Sequence, residues 1–238
     1  NFSKKGFNWV TSVNLSISRN KLVSFPGLSG STYRNSYRIG QPLNIQLSYH
    51  YLGVNPQTGL YEFVDENKDG VLSSPDDRQT IVDLNPDFFG GLENQLNYKR
   101  WSLDFLFQFV KQRNYSRFVG LGGSMGNRSV GMLNRWQQPG DNAHYQIYSS
   151  GLNAAAVSVQ SRYRDSDAGI VDASFIRLKN LSLNYQIPLR LKGAQLKTML
   201  QGQNLFVFTP YKDGDPEFTL TGSIRPLTVI SLGAQFTF

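Results

Sequence analysis

The chain has 238 residues, no cysteine, two histidines and a formal net charge of +7. Without cysteine there is no disulfide framework, thiolate nucleophile or zinc–thiolate centre, and His50 and His144 are too few for a His-rich metal site or a His-driven catalytic triad. No run approaches the roughly 18 apolar residues of a helical membrane span.

Aromatic residues make up 13% of the chain against 17% charged. That balance suits the aromatic girdles of a membrane β-barrel, whose alternating strands escape a hydropathy window. The chain opens on Asn1 with no leader pattern, as expected of a mature fragment or C-terminal portion. The positive charge is uneven. No acid precedes Glu62, and a second acid-free stretch holds Arg177, Lys179, Arg190, Lys192 and Lys197. Such stretches suit an anionic surface or the solvated turns and rim of a barrel. No nucleic-acid-binding motif accompanies them, so no nucleic-acid partner is expected.

In chain order, Phe7 to Arg19 alternates strictly. Phe7, Trp9, Thr11, Val13, Leu15 and Ile17 share one face, and small uncharged polar residues fill most of the other. This is the period of a strand with one face in an apolar medium, and its length fits a tilted membrane strand of about 9–11 residues plus its ends. Residues 20–42 are rich in Gly, Ser, Pro and Tyr and read as a long connection. Leu43 to Tyr51 reads as a second strand, and 53–86 as another polar connection.

Phe88 to Tyr98 and Trp101 to Lys111 form the clearest hairpin, turned at Lys99-Arg100. Trp101, Leu103, Phe105, Phe107 and Phe109 make an unbroken apolar stripe opposite Ser102, Asp104 and Gln108. Residues 112–172 carry no strand pattern. A loop of this length argues against a compact soluble domain, whereas barrels carry long outer loops and short inner turns. Ser174 to Ile187, with Phe175, Leu181, Leu183, Tyr185 and Ile187 on one face, is followed by a turn at 188–193. Ala194 to Phe206 comes next, then a loop over 207–226. Leu227 to Phe238 closes the chain with Ile230, Leu232, Ala234, Phe236 and Phe238 on one face.

The expected fold is an all-β membrane protein of seven or so antiparallel strands. With the last strand ending inside, the loops at 52–87, 112–172 and 207–226 face outward. The connection at 20–42 is then a long one on the otherwise short-turn side. Seven strands cannot close a barrel, and open edges are not tolerated in lipid, so the expectation is one part of a larger barrel.

The strings DENKDGVLSSPDD, PDFFGGLENQLNYKRWSLDFLFQF, RWQQPGD, DASFIRLKNLSLNYQIP and GQNLFVFTPYKDGDPE, with the terminal aromatic strand, occur in order over nearly the whole chain. In series they resemble the C-terminal part of SusC/RagA-type TonB-dependent outer-membrane transporters. The resemblance implies a barrel of about 22 strands in the cell outer membrane, with residues 1–238 supplying its C-terminal part. The plug domain and N-terminal strands lie elsewhere. It further implies import of oligosaccharides or peptides, energy from the TonB complex through the plug, and a SusD-like surface lipoprotein as lid. Outer-membrane lipid and the outer-membrane assembly machinery are the remaining implied partners. By likeness to outer-membrane barrels generally, Phe236 and Phe238 would form the assembly signal.

One motif carries metal chemistry. Asp65, Asn67 and Asp69 stand at positions one, three and five of D-x-N-x-D-G, Gly70 permits the turn at six, and the Val71 carbonyl, Ser73 and Asp76 fall at seven, nine and twelve. The motif reads either as a structural calcium site or as an Asx-rich turn without metal. Trp136, Tyr145, Tyr148 and Tyr163 lie in the longest loop. They read either as contacts for substrate or lid or as that loop's own small core. Trp9, Tyr98, Trp101 and Tyr185 near strand ends read as interface anchors. The acidic pairs in loops do not flank a predicted pocket, and Gly120–Gly126 lacks the lysine of a phosphate loop, so no catalytic residue is expected. The competing readings are a soluble calcium-stapled β-sandwich module for adhesion or carbohydrate binding and a glycan-cleaving enzyme.

Overall fold

The computed structural model describes residues 1–116, 122–123, 125, 128, 130–190, 193–212, 214–219 and 224–238. In chain order the strands are β1 (Phe2–Lys4), β2 (Phe7–Ser16), β3 (Ile45–Ser48), β4 (Tyr51–Val54), β5 (Tyr61–Phe63), β6 (Thr80–Asp83), β7 (Phe88–Tyr98), β8 (Trp101–Lys111) and β9 (Arg113–Tyr115). After helix α1 (Ala154–Arg164) come β10 (Ile170–Asp172), β11 (Phe175–Ile187), β12 (Gln195–Phe208) and β13 (Val229–Thr237). One antiparallel sheet takes seven of them in the order β1-β2-β7-β8-β11-β12-β13; the pairs β3–β6, β4–β5 and β9–β10 are separate two-stranded ribbons.

The sheet has the expected seven strands, but its membership differs from the sequence reading. Leu43–Tyr51 is not a strand of the large sheet. Its central part, β3, pairs with β6 among the loops. Leu43 is exposed, whereas Ile45, Leu47 and Tyr49 alternate along the segment and are buried. What they face is protein, and a period of two cannot tell packed side chains from lipid. The seventh place goes to β1, three residues turned back on β2 through Lys5-Gly6, both at positive φ (48° and 79°). That geometry suits a type I′ hairpin, whose twist matches its strands.

The revision removes the anomaly at 20–42. Because β2 pairs directly with β7, residues 17–87 form a single loop on the long-loop side. Every short turn (5–6, 99–100 and 188–194) then lies at one end of the sheet. The three long loops lie at the other.

Register aligns the stripes of successive strands. Trp9 lies opposite Leu96, Leu96 opposite Leu103, Leu103 opposite Leu183, Leu183 opposite Leu200 and Leu200 opposite Leu232. Ser12, Glu93, Leu106, Asn180 and Gln203 lie on the reverse face by the same pairing. The result is one apolar and one mostly polar surface. From Trp101 to Phe109 the apolar stripe runs eight residue steps, about 26 Å at ~3.3 Å each, close to the ~25 Å apolar band of an outer-membrane barrel.

Aromatic groups gather at both ends of the band. Trp101 and Tyr185 are in contact at the turn end, with centroids 4.4 Å apart, and Phe7 lies 6.5 Å from Tyr98. Phe88 and Phe109, 6.4 Å apart, gather with Phe206 and Phe208 at the loop end. Among the expected anchors, Trp9 is also tied inside the band, its indole Nε1 donating to Asn94 Oδ1 at 2.9 Å.

One side chain departs from the expected face. The register of β11 slips between Leu178 and Asn180 against both neighbours. This bulge leaves Lys179 as an extra residue and reverses the in–out parity on either side of it. Phe175, expected on the apolar face with Leu181 and Leu183, instead pairs with Val110 on the other face and is buried.

Candidate functional site

The polar face of the sheet and the crown of long loops above it hold the groups that a ligand would meet. Midway along the face lies a wall of carboxamides and hydroxyls, Asn180, Ser182, Gln201 and Gln203, beside the carboxylates of Glu93 and Asp104. Toward the turn end it becomes cationic, with Lys99, Arg100 and Lys197 around a hollow of about 330 Å³ that also meets Asn97, Asn184 and Gln195.

At the loop end of the same face stands a buried ion cluster. Arg177, 3% exposed, sends Nη2 to both oxygens of Asp215 at 2.7 and 2.8 Å. Its Nε lies 2.9 Å from Glu217 Oε2, an ion pair whose N–H is not aligned for a hydrogen bond. Lys179 Nζ is 3.6 Å from the same oxygen. Gln112 Nε2 donates to the Pro216 carbonyl, and Pro216 is fully buried. Arg177 pairs with Gln108 in the ladder and so belongs to the polar face. The loop between β12 and β13 is therefore folded down onto that face and pinned there. The sequence marked Asp215 and Glu217 only as acidic loop residues, because Arg177 lies 38 positions away from Asp215. Asp213 and most of Gly120–Gly126 lie outside the described residues.

The loop aromatics form mainly a crown core. Tyr163, on α1, stacks on Tyr61 with centroids 4.2 Å apart and planes 15° from parallel, while Tyr51 stands edge-on to both. Tyr49 and Phe63 complete the cluster. Burial raises the phenol pKa of Tyr61 and Tyr51, and the neighbouring Tyr163 adds to it. Trp136 is buried against Gly59, where a Cβ would fall 2.4 Å from the indole, and its Nε1 donates to the Pro56 carbonyl at 2.9 Å. Asp141 closes the RWQQPGD turn by accepting the main-chain N–H groups of Gln137 and Gln138. Tyr148 donates its hydroxyl to the Met132 carbonyl and lies under the Arg135 guanidinium, 4.2 Å away. Tyr145 is half-buried, edge-on to His144. Of the four aromatics singled out in this loop, Trp136 and Tyr163 are packing residues, and Tyr145 and Tyr148 retain partly open faces.

The Asp65 loop folds as a stack of Asx turns. Asp65 accepts the N–H groups of Lys68 and Gly70, Asn67 that of Asp69, and Asp69 that of Val71. The carboxylate that closes the loop is Asp77, fully buried and accepting the N–H groups of Glu66 and Ser73. The Ser73 bond leads the effects that hold its pKa below the usual carboxylate value, against the opposing pull of burial. Asp76, placed at position twelve by spacing, presents only its main-chain carbonyl, to Gln79. The donor types suit calcium. Among the described residues, however, no three His, Asp or Glu side chains converge on a point that would hold a metal ion.

No family model matches the chain. Two curated proteins of Formosa agariphila are similar over 91% of it. TonB-dependent receptor P3 is 29% identical over 250 residues, and TonB-dependent receptor P26 is 26% identical over 247. The resemblance to TonB-dependent receptors holds. The chain spans about a quarter of the length of these relatives, 24% of each. Its fold is that of the barrel in the RagAB peptide transporter, with a TM-score of 0.73 over 99% of this chain and 28% of that one, at 21% identity. The same importer in its open-open state superposes at 0.70 with 20% identity, again over 99% of this chain and 27% of that one. The apolar band of this receptor-like segment accordingly faces the lipid of the outer membrane, and its polar face looks inward. A single continuous sheet of this kind excludes the two packed layers of a sandwich. The relatives are receptors and transporters, not enzymes.

Proposed function

We propose that the parent protein imports large nutrients, oligosaccharides or peptides, across the outer membrane with energy delivered through TonB. A SusD-like surface lipoprotein would close over the loop crown. The observation that carries this reading is the sheet itself. It is lipid-facing on one surface and amide-lined on the other, and a pinned loop folds into the inner side. In this reading residues 1–238 supply part of the barrel. The free edges of β1 and β13 pair with strands of the parent protein, and the plug that contacts TonB lies elsewhere in it. The side chains described here shape a pathway and perform no chemistry. Tyr145 and Tyr148 are the loop aromatics best placed to meet cargo or lid.

Two further assignments belong to the same proposal. Calcium would bind at Asp65, Asn67, Asp69 and the Val71 carbonyl as a staple for the loop, with Asp77 in the closing place. Phe236 on the outward face of β13 and Phe238 just beyond its end, with centroids 6.0 Å apart, would be read by the assembly machinery.

Uptake of labelled oligosaccharides and peptides by cells with and without the parent gene tests the main reading. Loss of uptake of one class on deletion, and the same loss when TonB is depleted, is expected. Unchanged uptake of both classes would remove it.

A further inference from the structure

Deeper in the crown the three long loops meet around one cavity of about 450 Å³, within the ~300–1,000 Å³ range of small-ligand sites. Tyr51 comes from the loop between β2 and β7. His144, Tyr145 and Tyr163 come from the loop between β8 and β11, and Tyr211 and Lys212 from the loop between β12 and β13. Three segments distant in sequence thus share one lining, which no single loop could form by itself.

The lining is held in place. Tyr163 is fixed by its stack on Tyr61. Tyr211, 4% exposed, donates its hydroxyl to the Tyr115 carbonyl at 2.9 Å. Its segment is anchored a few residues on, where Asp215 sits on Arg177. The cavity is therefore preformed, which lowers the ordering cost of binding.

Its chemistry is specific. The walls are chiefly phenol rings with Pro210, Ala168 and Val171 between them, and two basic tips, His144 and Lys212, are exposed at it. Among the described residues, Asp167 is paired with His50 at 2.6 Å and Asp172 with Lys111 at 2.8 Å. Aromatic faces accept the apolar C–H face of a sugar ring, and a basic tip accepts an anionic substituent on that ring.

We propose that this three-loop cavity binds a sugar unit carrying a carboxylate, with Tyr145 stacking on the ring and Lys212 pairing with the charge. The proposal rests on the import reading and names a cargo class for it.

The test uses the full-length parent protein in detergent and isothermal titration. The titrants are an oligogalacturonate, its fully methyl-esterified form, and an acidic peptide of equal charge. The oligogalacturonate should bind, and Lys212→Glu, an exposed position, should weaken it at least about tenfold. The ester should bind more weakly than the acid and be insensitive to Lys212→Glu. Tyr145→Ala should weaken both sugars. Unchanged affinity in Lys212→Glu, absence of oligogalacturonate binding to the wild type, or preference for the peptide would each overturn the proposal. If cells keep TonB-dependent uptake while Lys212→Glu and Tyr145→Ala change nothing, import stands and this site falls.

Discussion

Replacing Arg177 by methionine keeps an unbranched stem and removes the charge that faces two carboxylates. Arg177 and Asp215 are both almost fully enclosed, at 3% and 5% side-chain exposure, and their bond is two-pronged. Removing one partner of a buried ion pair costs about 3–5 kcal/mol, because the other charge is left without compensation. Glu217 is more exposed, at 22%, and keeps Lys179 at 3.6 Å, so the loss falls mainly on Asp215. At about 1.4 kcal/mol per factor of ten, the open state of the 210–218 segment should become more populated by roughly two to four orders of magnitude. Hydrogen exchange of that segment in the full-length protein reads this directly. Adding Asp215→Leu to Arg177→Met removes the stranded charge and should recover most of the protection, since a buried pair and an apolar substitute of similar volume are often close in energy. Unchanged exchange in Arg177→Met would show that the ion cluster does not hold the loop. A double variant as open as the single one would show that the stranded Asp215 charge is not what opens it.

Five further outcomes are expected. At Gly90 an added Cβ would lie 2.2 Å from the Asn14 carbonyl oxygen and 2.6 Å from the Phe109 ring. Gly90→Ala should therefore cost about 1–3 kcal/mol as overpacking, read as a lower temperature for the heat-modifiable shift on a gel, and an unshifted transition would refute it. Asp77→Ala should loosen the 64–78 loop to proteolysis while Asp76→Ala leaves it intact; equal sensitivity would return the closing role to Asp76. Bound calcium should fall in Asp65→Ala and Asp69→Ala relative to the wild type, and equal metal content in all three removes calcium.

Asp172 titrates near pH 2. Burial acts to raise its pKa, but the Lys111 ammonium and hydrogen bonds from Ser174 outweigh that and lower it. Because the folded pKa lies below the unfolded one, its support for the β9–β10 junction is complete above about pH 4. That support is lost as pH falls toward 2. Pepsin cleavage there should rise between pH 4 and 2 in the native protein and lose this dependence in Asp172→Asn; parallel profiles would refute the assignment. Deleting Phe238 should lower membrane assembly of the parent protein, and unimpaired assembly would deny the terminal ring a signalling role.

The sequence by itself determined which faces of most long strands are apolar, where the 99–100 hairpin turns, and that the loops at 112–172 and 207–226 lie at one end. Period-two alternation is a local property, and lipid on one side with an amide-lined interior on the other enforces it over ten or more residues at a time. Tertiary structure decided what alternation cannot carry. Ile45, Leu47 and Tyr49 alternate as a barrel strand would, yet pairing with β6 places them in the loop crown. Three residues, Phe2–Lys4, are too few to show a period, yet they form a strand because β2 offers an edge. A one-residue bulge at Lys179 turns Phe175 inward, and motif spacing names Asp76 where the folded loop uses Asp77. The Arg177–Asp215 pin and the three-loop cavity join residues tens of positions apart. Such contacts depend on which strands are neighbours, and hydrogen bonding between distant strands fixes that only once the chain has folded.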